Sequence, residues 1–225
     1  MQPELIIMLT HHDQTVPNAL ELFNTLQDLP VRCWGFKDIG LPRESMFQLV
    51  KEMKQAGKTT FLEVVSLSEE DGLAGAKLAI EAGFDCLMGT VYFKSIRDLV
   101  KSSPVKYYPF PGHVYDHPSL LDGSIEEIAQ NARFLEAQKV DGLDLLTYRY
   151  LGDAPELLQE VVKAVHIPVV SAGSIDSFER IQAVVSAKAW GFTIGSAFFE
   201  HKFIPNGDFR SNVLAVCEWL QKLNL

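Results

Sequence analysis

Basic residues are scarce in this chain: 20 lysines and arginines face 29 aspartates and glutamates over 225 residues, for a formal net charge of −9 and a pI near 5.1. Nucleic acids and anionic membrane surfaces both need basic patches, so neither is expected as a partner. An anionic ligand must therefore be held by local groups. Cysteine is also sparse. Cys33, Cys86 and Cys217 lie far apart with no CxxC spacing, which excludes a disulfide framework or a zinc ribbon and points to reduced core thiols. No apolar run reaches membrane-spanning length. The first residues run directly into Leu5-Ile6-Ile7-Met8-Leu9 without a basic leader or a small-residue cleavage site, so a soluble, unprocessed, cytoplasmic chain is expected.

What the chain does have is a regular alternation of apolar runs and amphipathic stretches, the pattern of a parallel α/β fold. Eight runs are of strand type: 5–10, 31–39, 59–66, 86–93, 106–110, 142–150, 168–173 and 191–197. Eight strands in a chain of this length predict one (β/α)8 TIM barrel spanning residues 1–225, with nearly every loop short. Helix starts are marked by Pro42 at a first turn and by Ser124 with Glu127 and Asp176 with Glu179 as capping boxes. The exception to short loops is residues 109–124, rich in proline, glycine and histidine, which are expected to lie over the fifth strand as a lid.

The segment from Ile167 to Phe199 carries the clearest functional signal. Two strand ends one βα unit apart, Ser171-Ala172-Gly173-Ser174 and Gly195-Ser196-Ala197, bear glycines. Glycine allows positive φ and close backbone approach, which a phosphate bound by main-chain N–H groups requires. In barrels such a cradle lies after strands seven and eight and is completed by a short extra helix, expected here near Ala197. Residues 63–93 align without gaps onto 169–199 at an offset of 106, placing Gly89 on Gly195. The first copy has Leu67 where the second has Gly173, followed by Glu69, Glu70 and Asp71. Only the second cradle is expected to bind an anion.

On SAGSI at 171–175 and GFTIGSAFFE at 191–200, the chain resembles the ribulose-phosphate-binding barrel superfamily. That group includes phosphosugar epimerases, histidine and tryptophan biosynthetic barrels and thiamine-phosphate synthase-like enzymes. The resemblance implies a phosphorylated small substrate held around Ala172, Gly173, Ser174, Gly195 and Ser196. Two departures are informative. The decarboxylase branch carries D-x-K-x-x-D on strand two, where this chain fits only the end, with Cys33 and Gly35 in place of the first Asp and the Lys and with Asp38 last. The metal-dependent epimerases carry H-x-D on strand two, and no such pattern is present. No single family follows.

Catalytic groups in barrels sit at the C-terminal ends of strands. Strand two supplies Lys37 and strand three Glu63, a cation and a carboxylate suited to enolising a phosphosugar, with a buried ion pair as the structural alternative. If Lys37 faces the lumen, Asp38 faces the helices. Strand one ends in His11, His12 and Asp13; His12 is taken as a third catalytic candidate, and Asp13 as the cap of the first helix. The histidine spacing does not make a helical metal pair, so neither metal nor cofactor is expected. Arg149, flanked by Tyr148 and Tyr150, is the candidate to orient a substrate carboxylate or add a hold on phosphate, with His113 of the long loop beside it. Asp144 reads as an interior polar group with a structural partner, and Lys202 and His201 as caps of the last helix.

The leading function is an isomerase or epimerase of a phosphorylated sugar or similar phosphate ester, working by proton abstraction next to a carbonyl. A Schiff-base aldolase or lyase using Lys37 is the alternative within enzymes, and a regulatory barrel that senses a phosphate ligand is the alternative outside them. Homodimer pairing is compatible with the helix faces, but no exposed apolar stripe defines it.

Overall fold

The computed structural model describes residues 2–223, and each apolar run of the sequence contributes one strand of a single parallel sheet. The strands are β1 (Glu4–Met8), β2 (Cys33–Lys37), β3 (Thr59–Val64), β4 (Cys86–Val91), β5 (Lys106–Phe110), β6 (Leu143–Leu145), β7 (Val169–Ser171) and β8 (Gly191–Ile194). Hydrogen-bonded order runs β6-β7-β8-β1-β2-β3-β4-β5, so β1 lies between β8 and β2 and the sheet curls into the expected barrel. The helices that cover it are α1 (Ala19–Leu26), α2 (Arg43–Gln55), α3 (Glu69–Ala82), α4 (Lys94–Val100), α5 (Ile125–Ala137), α6 (Ala154–Ala164), α7 (Phe178–Ala187), α8 (Ser196–Phe199) and α9 (Phe209–Lys222). None is long and apolar enough to cross a membrane.

Strand parity sorts the side chains into two cores, because successive residues point to opposite faces. Ile6, Met8, Cys33, Phe61, Cys86, Met88, Tyr108 and Val170 fill the lumen. Ile7, Trp34, Phe36, Leu62, Leu87, Leu143, Leu145, Val169 and Phe192 pack outward among the helices. On β2 the lumenal series Cys33, Gly35, Lys37 ends in the lysine. Gly35 has no room for a side chain, since a Cβ there would lie 2.7 Å from Met8 Sδ and 2.8 Å from the Phe61 carbonyl oxygen. All three cysteines are buried and free, and burial pushes the thiols of Cys33 and Cys86 up to about 12. They are inert packing groups.

No ladder joins β5 to β6. That seam is held by Asp141, whose N–H donates to the Tyr107 carbonyl at 3.0 Å and whose Oδ2 accepts from the Tyr107 N–H at 3.0 Å. The Tyr108 ring then covers Gly142, where a Cβ would come within 2.5 Å of it.

Several local expectations change. The capping box at Ser124 is present in both directions: Ser124 Oγ accepts from the Glu127 N–H and Glu127 Oε2 from the Ser124 N–H. Ser124→Ala is expected to cost about 1 kcal/mol, read as a shift in denaturant midpoint. The second box is absent. Ser177 caps α7 by accepting from the Arg180 N–H, while Asp176 pairs with the Arg180 guanidinium at 3.0 Å. Asp13 caps nothing. Helix α1 starts at Ala19 behind Asn18, because Asp13 is occupied at the tip of a small antiparallel turn pairing Thr10–His11 with Gln14–Thr15. Strand β6 ends at Leu145, and Thr147–Arg149 form one turn of 3-10 helix. The long loop carries a hairpin of its own, His113–Tyr115 against Leu120–Asp122.

Candidate functional site

At the C-terminal mouth of the barrel lies a pocket of about 210 Å³. Its lining brings together groups from six strand ends: Thr10 and Asp13 after β1, Lys37 at the end of β2, Glu63 on β3, Arg149 after β6, and the two glycine-bearing loops after β7 and β8. Lys37, Glu63, Arg149 and the segments 172–174 and 195–196, all singled out in the sequence, thus share one cavity.

The register of β2 on β3 pairs Lys37 directly with Glu63, and both point into the lumen by parity. Lys37 Nζ lies 3.4 Å from Glu63 Oε1 and donates to Asp13 Oδ1 at 2.7 Å. Arg149 Nη2 donates to both Asp13 oxygens, at 2.8 and 3.0 Å, so Asp13 bridges the two cations of the pocket. Burial alone would raise the Asp13 carboxyl, but the charge and hydrogen bond of Lys37, followed by those of Arg149, hold it below the ordinary value. For Lys37, burial works to lower the ammonium pKa. The charges of Glu63 and Asp13 and the Asp13 hydrogen bond outweigh burial and the opposing Arg149, and the pKa ends above its usual value. Lys37 is a firmly protonated cation.

Asp13 was misplaced by the sequence because its role depends on backbone geometry and on a partner 136 residues away. His12 and Asp13 have φ of +49° and +60°, the two-residue reversal favoured by primed hairpin turns and tolerated by Asp and His. The short Thr-His-His-Asp-Gln-Thr segment with polar residues at its centre was the available signal.

Beneath this network sits Asp144, fully buried, with neither carboxyl oxygen in hydrogen-bond contact with another described residue. The interior position matches the sequence reading, but no side chain pairs with it in a well-formed hydrogen bond, and its polar neighbours are the Gly89 N–H, Lys37 and Glu63. Burial first, then the charge of Glu63, push its pKa well above the usual carboxylate range, opposed by Lys37 and the Gly89 N–H. Asp38 takes the opposite parity as expected. It accepts from the Val65 N–H at 3.2 Å, and burial pushes it up to about 6.

The glycine-bearing loops differ from one another. Gly173 and Ser174 have φ of +78° and +55°, two successive positive-φ residues where the chain leaves β7, a conformation that glycine takes freely and serine seldom does. Gly195 has φ of −123°, so its need for glycine is spatial: a Cβ would lie 2.5 Å from Thr10 Oγ1 and 2.9 Å from the Thr10 carbonyl oxygen. It immediately precedes α8, one residue earlier than expected; the Phe198 N–H of that turn donates to the Gly195 carbonyl at 2.9 Å, so the candidate donors of the turn are the N–H groups of Ser196 and Ala197. Ala172 lines the pocket with its main-chain donor already engaged. Its N–H donates to the Leu145 carbonyl at 2.7 Å, extending the sheet, and is spent before any ligand arrives. Arg180, unremarked in the sequence, lies over the Tyr148 ring at 4.7 Å and donates to the Ser174 carbonyl, which fixes the outer side of that loop.

Two candidates fall outside the pocket lining. His12 is exposed and stacks on His11 with ring centroids 3.8 Å apart, because the positive-φ turn directs it away from the lumen. His113 is exposed on the hairpin, stacked on Tyr115 at 5.4 Å. The long segment reaches the site through Ser119 instead, whose carbonyl accepts from Arg149 Nη1 at 3.5 Å. His201 and Lys202 lie beyond α8 and cap no helix start; Lys202 pairs with Glu200 at 3.3 Å. Among the described residues no group of three or more His, Cys, Asp or Glu is arranged to hold a metal ion.

No family model matches the chain, and no curated protein matches it in sequence. Its fold is widely shared among solved structures. Orotidine 5'-phosphate decarboxylase from Pyrococcus horikoshii OT3 superposes with a TM-score of 0.71 at 12% identity, covering 96% of this chain and 99% of that one. N-acetylmannosamine-6-phosphate 2-epimerase from Clostridium perfringens gives 0.63 at 12% identity, covering 87% of each chain. The glycerol uptake operon antiterminator regulatory protein from Listeria monocytogenes gives 0.60 at 17% identity, covering 86% of this chain and 91% of that one. The likeness is one of fold. It is the eight-stranded parallel barrel with its covering helices.

Proposed function

We propose that the chain is an isomerase or epimerase of a small phosphate ester, moving a proton at a carbon next to a carbonyl. The observation that carries this reading is the single pocket joining a main-chain cradle to the Lys37–Glu63 pair. Gly173 and Ser174, with the first N–H groups of α8, receive the phosphate. Glu63 takes the proton from carbon, and the Lys37 ammonium stabilises the negative charge that develops on the carbonyl oxygen. Both act within a site screened from water, with their side chains about one-tenth exposed.

The test is proton exchange in heavy water across a panel of aldose and ketose phosphates, followed by NMR. Wild type is expected to replace a carbon-bound proton in at least one of them. Lys37→Met should lose that exchange while inorganic phosphate still raises the melting temperature of the variant. Exchange that survives Lys37→Met removes the lysine from the mechanism. A Schiff-base reaction is less well supported, since imine formation needs a neutral amine and the raised pKa of Lys37 keeps it charged. Borohydride treatment is accordingly expected to leave the mass of the protein unchanged at any substrate concentration.

A regulatory barrel is the second reading, supported by the complete pairing of both pocket cations with Asp13 and compatible with the shared fold of the Listeria antiterminator. Saturable phosphate-ester binding with no exchange in any member of the panel selects it. A cytoplasmic location belongs to the same proposal and draws its support from three free, buried thiols.

A further inference from the structure

The pocket lining holds four carboxylates, Asp13, Glu63, Asp176 and Glu200, against two cations, Lys37 and Arg149. Two of the carboxylates are drawn outward by cations beyond the pocket, Asp176 by Arg180 at 3.0 Å and Glu200 by Lys202 at 3.3 Å. The cations inside it are already engaged. One carboxylate, Asp13, accepts two hydrogen bonds from Arg149 and one from Lys37 within 3.0 Å, and its side chain is only 13% exposed. A substrate carboxylate placed here would meet two cations whose charge Asp13 already partly offsets, with Asp13 and Glu63 in the same pocket, and like charges at such range repel strongly out of water. Hydroxyl groups meet the opposite situation. They can donate to Asp13 and Glu63, and the Thr10 and Thr193 side chains in the lining add further hydroxyl partners.

We propose that Asp13 is a specificity-determining residue: by bridging Lys37 and Arg149 it reserves the mouth for phosphate esters whose far end is a neutral polyol and rejects those ending in a carboxylate. The inference rests on the phosphate-cradle reading and adds to it the chemistry of the remainder of the ligand. It also assigns Arg149 a share in fixing Asp13 instead of a role in capturing a carboxylate. Rejection by a built-in charge is the stronger discriminating device, because a site that merely lacks a contact gives a smaller penalty than one that leaves charges unpaired or opposed.

The experiment compares inorganic phosphate, D-ribitol 5-phosphate and 5-phospho-D-ribonate by calorimetric titration of the whole chain. The two esters differ only in a terminal CH2OH against a carboxylate. Wild type is expected to bind the ribitol ester at least tenfold more tightly. Asp13→Asn keeps the shape and tolerates the left-handed turn while removing the charge, so it should shrink or invert that preference by at least tenfold, through gained affinity for the ribonate. Asp13→Ser serves the same purpose if the first variant folds poorly. Equal or tighter binding of the ribonate by wild type overturns the inference, as does an unchanged preference in a folded Asp13 variant. If phosphate and both esters all fail to bind, the cradle reading falls and takes this inference with it, an outcome distinct from phosphate binding without discrimination.

Discussion

Glu63→Gln is expected to lower the rate of substrate proton exchange by about 10²–10⁴-fold, the usual contribution of a positioned acid or base, with phosphate affinity unchanged. The substitution keeps the shape of the side chain and the register contact with Lys37 but removes the basic oxygen. Because the cradle lies on the loops after β7 and β8, across the mouth from β3, loss of the base leaves phosphate binding intact. Parallel loss of both would mean that the variant has collapsed the pocket. The substitution has a second electrical consequence. The charge of Glu63 raises both Lys37 and Asp144, so its removal lowers the proton affinity of each.

Asp144→Asn is expected to flatten the pH dependence of stability. A carboxyl whose pKa is raised on folding binds its proton more tightly in the native state than in the unfolded one. The stability it contributes is therefore complete below about pH 4, where both states are protonated, and is lost as pH rises toward the raised native value. Over that interval wild type should lose about 1.4 kcal/mol per pH unit relative to the variant. The large effect follows from location: an ionised carboxylate at 0% exposure without a well-formed hydrogen bond is among the costliest groups a core can hold. Melting temperatures of the two proteins from pH 4 to pH 9 test this. Parallel curves would show that Asp144 does not bind its proton more tightly on folding.

The strands were legible because parallel strands are covered on both faces and therefore read as continuous apolar runs. Lys37 and Glu63 were legible for a related reason: a charged side chain at the end of such a run has few places to go except the barrel mouth. Other features depended on information that a linear pattern does not carry. Asp13 looked like a helix cap because it precedes an apolar stretch, and only its positive φ and its distant partners give it a different role. Asp144 was correctly read as interior, yet how poorly it is paired is a property of its neighbours, Glu63 on β3 and Gly89 on β4. His12 and His113 were chosen for chemistry and position in loops, and loop side chains take directions that neither parity nor periodicity dictates.

The unlaced boundary between β5 and β6 gives the cylinder a slit in the middle of the chain, while the first and last strands are zipped together. Sub-global opening starts where interstrand bonds are fewest, and this slit is flanked by the elements that deliver Ser119 and Arg149 to the mouth. The Arg149 contact to the Ser119 carbonyl and the hydrogen bond from the Leu151 N–H to the Leu121 carbonyl bridge it at that end, so the same guanidinium that holds Asp13 also closes the cylinder wall where its ladder is missing.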